Sequence, residues 1–500
     1  MRGTEGTDPV ALLRRAVAAD DRPRISALVS TYPLELWFGI LPADLQVIVD
    51  TADDGSARAT DLGGYILRAF LAGPARADLP DGTDAGAAPG IRRARTFIRA
   101  LHLRMSGDPV QAYALMSEDP LVRAPVAPLL DPTRGTGASI VLQAGITAML
   151  AGRLHDALML LEKSLLFPIP PALAFFHRDA HLRIAMIHAL YGDGALAWMH
   201  LDLSRQVPRT ASWAEPGLDT DESLVEALST AETDPDAAFT ALLRIPIPRM
   251  QELWPYHVVA TQHIGMITGR LREMHDRASQ FRALNPAGVG GTGLGGSVVA
   301  HTLGLHALLA GASSESERLL ATADPRLWET ATLAAGQALV RGSAPPAIRL
   351  LHGVADQTAG LPRADNFRRM VLAVAHDVSG AHDDADAILS DILPRPDVLT
   401  HAMLTRFAPS FAARAANDIP GWPAPRTAPE TVDTLRRRAL TTRELDVLAE
   451  LARGRSRTEI AQQLFITVNT VKTHQRSLYR KLGATTRTEA VNEGRRRALL

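Results

Sequence analysis

From about residue 140 to residue 395 the apolar positions of the chain recur with a helical period, punctuated by a repeated phrase. A turn glycine is followed by a small residue at the fifth position and a pair of aliphatic residues at the eighth and ninth. Gly152 leads to Ala157, Leu160 and Leu161; Gly311 to Ser316, Leu319 and Leu320; Gly342 to Ala347, Leu350 and Leu351; Gly380 to Ala385, Ile388 and Leu389. Gly192 heads a looser copy, the small residue is displaced after Gly269, and the stretch near Pro235 supplies a copy without its glycine. The turns fall roughly 30 to 40 residues apart, the length of two short helices with their connections. Glycine lets the chain reverse at positive φ, the small residue lets two helices approach, and the aliphatic pair closes the seam with the next unit. Alternating β-branched runs are missing and aromatics make up only 5% of the chain, so strands are not expected.

The period matches that of tetratricopeptide-like helical repeats, without a full consensus of that kind; an irregular helical bundle is the alternative. Residues 1–130 are also helix-like, with VALLRRAVAA and RRARTFIRALHLRM as amphipathic stretches and no clear repeat. Proline and glycine crowd the segment from Gly73 to Gly90, which reads as an exposed loop. A second such stretch holds Pro420, Pro423, Pro425 and Pro429 and cannot continue a helix. The expected organisation is a helical body over residues 1–418, a Pro-rich linker over 419–434, and a separate module over 435–500.

In that module three helix starts are written in capping-box form: Thr441 with Glu444, Ser456 with Glu459, and Thr486 with Glu489. A first helix ends near Gly454, a short second one spans RTEIAQQL, Phe465 and Ile466 form a link, and a third begins after Thr467 and ends at Gly483. A fourth starts after Thr486. A short helix, a tight turn and a longer basic helix make a helix-turn-helix, whose second member enters the DNA major groove. In the third helix Val468, Val471, Leu478 and Leu482 fall on one side at 100° per residue, Asn469, Thr473, Arg476 and Arg480 on the other, and Lys472 between them.

Charge sharpens this division. Residues 431–500 carry 15 Lys+Arg against 7 Asp+Glu, a balance of +8; with 53 and 54 in the whole chain, the other 430 residues sum to -9. A basic module on a mildly acidic body suits a protein of which one part meets a polyanion. Cysteine is absent, which removes disulfides, thiolate-bound metals and a cysteine nucleophile and fits a reducing, cytoplasmic setting. An acid and a proline interrupt the first ten residues, and no apolar run long enough to span a bilayer follows, so neither export nor membrane contact is expected.

Two motifs promise other chemistry. Gly291, Gly293 and Gly296 have G-x-G-x-x-G spacing, but a helix rather than a strand precedes them and no Lys follows Gly296, so an inter-helix loop is expected instead of a phosphate cradle. His177 and His181 are four apart, as metal ligands on a helix would be, yet Arg178 stands where the zincin general base would be. No G-x-S-x-G elbow occurs. No catalytic residue, metal or cofactor is expected, and the chain reads as a non-enzyme.

The carboxy-terminal words resemble the LuxR-type helix-turn-helix over about 55 residues: LT-x-RE at Leu440–Glu444, G-x-S-x-x-EIA at Gly454–Ala461, TVK-x-H at Thr470–His474, KLG at Lys481–Gly483 and R-x-EAV at Arg487–Val491. Thr442, Arg457, Thr458 and Thr467 replace the commoner Pro, Asn, Lys and Ser. The resemblance implies a four-helix domain on double-stranded DNA, with Lys472, Thr473 and Arg476 as base readers. Arg457, Thr467, Asn469, Thr470 and Arg480 complete the interface. Lys481 is either a further phosphate contact or a solvated charge at a helix end. Val491 and Arg495 match the family's dimer contact, core packing being the other reading for Val491. It implies a homodimer on an inverted repeat and a contact with RNA polymerase. The helical body resembles the repeat sensor of the large ATP-dependent LuxR regulators with their ATPase missing, controlled by a small-molecule or protein effector. The alternatives are a scaffold whose helix-turn-helix contacts polymerase or another protein, and an NTPase switch.

Overall fold

The computed structural model describes residues 8–52, 62–72, 89–124, 134–247, 251–284, 286, 288–393, 398–424, 440, 442–482 and 484–496. Among these the regular structure is entirely helical. The Gly73–Gly90 loop up to residue 88, the linker from Pro425 to residue 434, Thr441 and Gly483 lie outside the described residues.

The body is built of helix pairs whose two members differ in kind. The first member is apolar on nearly every side: in Gly293–Leu309 only His306 among residues 293–309 is not buried. The second is amphipathic and buries a narrow stripe, as Ser313–Leu320 does with Ser316 and Leu320. A helix enclosed on all sides belongs to the inner layer and a striped one to the outer layer. Thr136–Leu150 with Leu154–Ser164, Trp254–Thr268 with Leu271–Leu284, and Trp328–Val340 with Ala344–Gly353 repeat this arrangement. Between the two members of a pair Gly152, Gly269, Gly311, Gly342 and Gly380 adopt φ of 79°, 79°, 74°, 79° and 85°, the left-handed region that a side chain penalises.

The fifth and ninth positions of the phrase are the ones that reach the seam. Ala157, Ala347 and Ala385 at the fifth are 0% exposed, as are Leu161, Leu351 and Leu389 at the ninth. The eighth position was expected to share that role. Only Leu160 does so at 6% exposure; Leu350 stands 38% exposed, because the eighth residue is turned 100° from the ninth on a helix with a narrow buried stripe. Where glycine is missing, Thr233 takes its place, and Asp234 caps the next helix through the Ala237 amide at 3.0 Å; Ala238 and Leu242 then fill the same two positions. A further copy lies upstream of residue 140, where Gly107 (φ 97°) precedes buried Ala112 and Met116.

The array curls until its parts meet. Ala364 N–H donates to the Tyr191 carbonyl at 3.0 Å, Arg363 reaches the Ala189 carbonyl, and helix Val398–Phe407 packs against Trp254–Thr268. Residues of the first five helices form their own small core around Leu13, Leu36, Leu45 and Leu67. They join the array through Trp213, whose Nε1 donates to the Trp37 carbonyl at 2.6 Å, and through the Arg134–Glu35 pair at 2.9 Å. At the other end Ile419 and Trp422 are buried against the last helices of the array. No helix among the described residues is long and apolar enough to cross a membrane.

Candidate nucleic-acid interface

Four helices make the carboxy-terminal unit: Thr442–Ala452, Arg457–Gln463, Val468–Leu482 and Arg487–Arg496. Their shared core contains Val447, Leu448, Leu451, Ile460, Val471, Leu478 and Leu482. The helix starts follow the expected chemistry. Ser456 N–H donates to Glu459 Oε2 at 2.7 Å while Ser456 Oγ accepts from the Glu459 amide at 3.4 Å, a complete capping box. The amides of Thr485 and Thr486 donate to Glu489 Oε2 at 2.8 and 3.3 Å, and these bonds hold the Glu489 carboxyl below the usual carboxylate range. Of the third box, Thr441 lies outside the described residues, and Glu444 is engaged elsewhere.

Thr467 caps the third helix by accepting from the Thr470 amide at 3.1 Å, with the two hydroxyls 2.8 Å apart. Behind it the chain turns at Phe465, which sits at φ 53° and 95% exposed, a conformation unusual for a bulky residue. Val471, Leu478 and Leu482 are buried. Val468, grouped with them by periodicity, is 44% exposed, since it opens the helix where no neighbour covers it.

The opposite face of this helix carries Asn469, Lys472, Thr473, Arg476 and Arg480, all exposed. Among the described residues Lys472, Arg476 and Arg480 make no ion pair or side-chain hydrogen bond, while Thr473 Oγ1 donates back to the Asn469 carbonyl at 3.1 Å. Free cations on one face of a helix over a fixed core are what a polyanion can occupy without first breaking bonds.

Other basic residues of the unit are spent internally. Lys481 donates to buried Glu444 at 2.7 Å, so it is a clamp between the first and third helices and neither a phosphate contact nor a solvated charge. Arg487 donates to the Leu451 carbonyl at 3.0 Å through Nε, closing the end of the first helix. Arg455 pairs with Glu450 at 2.8 Å. Arg457 is exposed, and its Nε donates to Gln475 Oε1 at 2.7 Å; Gln475 in turn donates to Tyr479 Oη at 2.7 Å. That brace ties the second helix to the third. Sequence spacing cannot reveal it, because each of these residues also suits a solvated face.

Residues 438–493 match the family model described as bacterial regulatory proteins, luxR family. The carboxy-terminal unit is a LuxR-type helix-turn-helix domain. It is 54% identical over 57 residues to the transcriptional activator RamA of Corynebacterium glutamicum, covering 11% of this chain and 20% of that protein. It is 41% identical over 70 residues to the transcriptional regulator MalT of Yersinia pestis and of Yersinia pseudotuberculosis, 14% of this chain and 8% of those proteins. The likeness is thus confined to a fifth or less of each relative. In the LuxR-type domain Val491 packs partly against the core beside fully buried Ala490, and Arg495 is exposed.

The competing motifs resolve into packing. Gly291 lies against the Gly107 turn, where an added Cβ would fall 2.1 Å from the Gly107 oxygen, and Thr292 N–H donates to that oxygen at 3.1 Å. The glycines therefore permit backbone to meet backbone. The helix they open is capped from within, by Asp324 at 3.4 Å from the Gly293 amide. His177 Nε2 lies 3.3 Å from the Phe167 carbonyl and His181 Nδ1 3.0 Å from His200 Nδ1. Burial pushes both His181 and His200 down to about 4, helped by the imidazole of His200 for His181 and by that of His188 for His200. No group of metal-ligating side chains occurs among the described residues. Arg178, between the two histidines, is buried and bonds to Glu215, Asp219 and Glu222 at 2.7, 2.8 and 2.7 Å.

Proposed function

We propose that the chain is a sequence-specific DNA-binding transcriptional regulator. The carrying observation is the two-faced helix Val468–Leu482, whose inner residues are buried while Lys472, Thr473, Arg476 and Arg480 are exposed, the three cations without partners among the described residues. The names of RamA and MalT, a transcriptional activator and a transcriptional regulator, support the same reading. In it the helix lies in the major groove: Arg476 and Lys472 donate to guanine O6 and N7, and the Thr473 methyl meets a thymine methyl. Thr467, Asn469, Thr470, Arg457 and Arg480 hold the flanking phosphates. Arg457 brings its terminal nitrogens to this task, its Nε being bound to Gln475. The exposed part of Val491 with Arg495 pairs two copies on an inverted repeat, roughly one helical turn between half-sites. The activated complex contacts RNA polymerase. The helical body has no catalytic part in this reading and transmits effector binding by shifting a two-state equilibrium, across a linker that starts after Trp422 and not at 419, since Ile419 and Trp422 are packed into the array.

Fluorescence anisotropy on duplex DNA at several salt concentrations tests this. Affinity should fall linearly on a log–log plot, and Arg480→Ala should lessen the slope by about 1 without changing sequence preference. Affinity indifferent to salt would favour the scaffold.

A further inference from the structure

The curl of the array leaves a small cavity of about 80 Å³, partly open to solvent, between the inner helices and Val398–Phe407. Its wall is mostly aliphatic and aromatic, yet three polar groups of its lining residues have no hydrogen-bond partner among the described residues: Tyr191 Oη, Trp328 Nε1 and Glu329 Oε2. Tyr191 and Trp328 are 1% and 5% exposed, with their rings edge to face at 6.0 Å. Glu329 is half-buried, but its Oε2 is shut off from solvent. Buried polar atoms are nearly always paired, so three unpaired ones on residues that line one cavity mark it as a candidate binding site.

The chemistry of the three defines the ligand. Glu329 is the one acid on the wall and Arg363 the one arginine; Arg363 is engaged by Glu232 and the Ala189 carbonyl. His263 and His301 are kept neutral by burial, at about 3 and about 4. Burial likewise raises the Glu329 carboxyl to about 7, so a cation brought beside it would restore its charge. The Trp328 N–H can only donate and needs an oxygen acceptor, which Tyr191 Oη can share. The faces of Trp328, Tyr191 and Phe367 offer further attraction to a cation and a surface for an apolar body.

We propose that this cavity binds a small hydrophobic amine that carries a hydroxyl or carbonyl oxygen near its nitrogen, and that this molecule is the effector of the helical body. The binding site stands independently of the regulator reading; the effector role rests on it.

The test is calorimetry on the full chain with 2-amino-1-phenylethanol, and with 2-phenylethylamine and 1-phenylethane-1,2-diol as probes lacking the oxygen or the nitrogen. The amino alcohol should bind tightest, each deletion weakening it by about tenfold, in line with one lost charged or neutral hydrogen bond. Glu329→Gln should weaken the amino alcohol by about tenfold and leave the diol unchanged, and Trp328→Phe should weaken both oxygen-bearing probes. Glu329→Gln without probe should melt no lower than the parent at pH 8, which separates a binding group from a structural one. Failure of all three probes to bind at millimolar concentration, or binding indifferent to Glu329→Gln, would overturn the site and leave the orphans to water. Should the amino alcohol bind as described while operator affinity stays constant, the effector role falls. Loss of DNA binding altogether, with the amino alcohol still bound, would instead remove the regulator reading and, with it, the effector role.

Discussion

Replacing Arg178 by Met should loosen the array at one identifiable place. The guanidinium is 1% exposed and joins three carboxylates of helix Glu215–Thr230, of which Glu215 is 6% exposed, Glu222 23% and Asp219 50%. Asp219 and Glu222 keep outer partners in Arg209 and Arg205, at 2.5 and 2.8 Å. Glu215 keeps Arg209 at 3.2 Å and the Thr210 amide at 2.8 Å, but stays buried beside an apolar side chain. Breaking a buried pair from one side costs about 3 to 5 kcal/mol, and the remaining bonds place this case near the lower figure, about 3 kcal/mol. Hydrogen exchange of amides in 215–230 should accordingly quicken by roughly 100-fold. Arg209→Met, at a side chain 53% exposed, should cost under about 1 kcal/mol. Acid should act through the same network. Bonds to Arg209 hold the Asp219 carboxyl below its usual range, and bonds to Arg205 and Arg178 do the same for Glu222 against the opposing effect of burial. The stability they contribute is present above their unfolded values and disappears as pH falls through the folded ones, below about pH 4, and Arg178→Met should blunt that acid sensitivity. Equal exchange rates in Arg178→Met and Arg209→Met would refute the reasoning.

Three further outcomes follow from the geometry. Leu351→Ala should destabilise the array by about 2 to 5 kcal/mol and Leu350→Ala by less than about 1, a contrast that urea unfolding of the two variants measures. Lys481→Met should expose the first helix of the LuxR-type domain to faster exchange by removing the ammonium from Glu444, and adding Glu444→Leu should recover most of the loss. Thr467→Ala should cost about 1 kcal/mol of domain stability by removing the cap on the Thr470 amide, while weakening DNA binding without relaxing its specificity.

The helix pairs and the helix-turn-helix were legible because each rests on short-range grammar. A turn glycine, two positions on a stripe and a Ser–Glu capping box all act within ten residues, and the spacing carries them. Val468 was misplaced because periodicity assigns a face but not a neighbour to cover it, and the helix end has none. Lys481, Arg487 and Arg178 share a different cause: a cation in a polar environment and one reaching across to a buried acid or a helix-end carbonyl look alike in one dimension. The cavity lies beyond sequence reading for a stronger reason. Tyr191, Trp328 and Phe367 come from three separate pairs and meet only once the array has curled.

Selection of bound sequences from a random duplex pool, by the full chain and by its Arg476→Ala variant, tests the central claim most directly. The parent should enrich one inverted-repeat motif. In Arg476→Ala the preference should blur at one position of each half-site, with a loss of about 1 to 3 kcal/mol there. Enrichment of no motif, or an identical motif from both proteins, would contradict it.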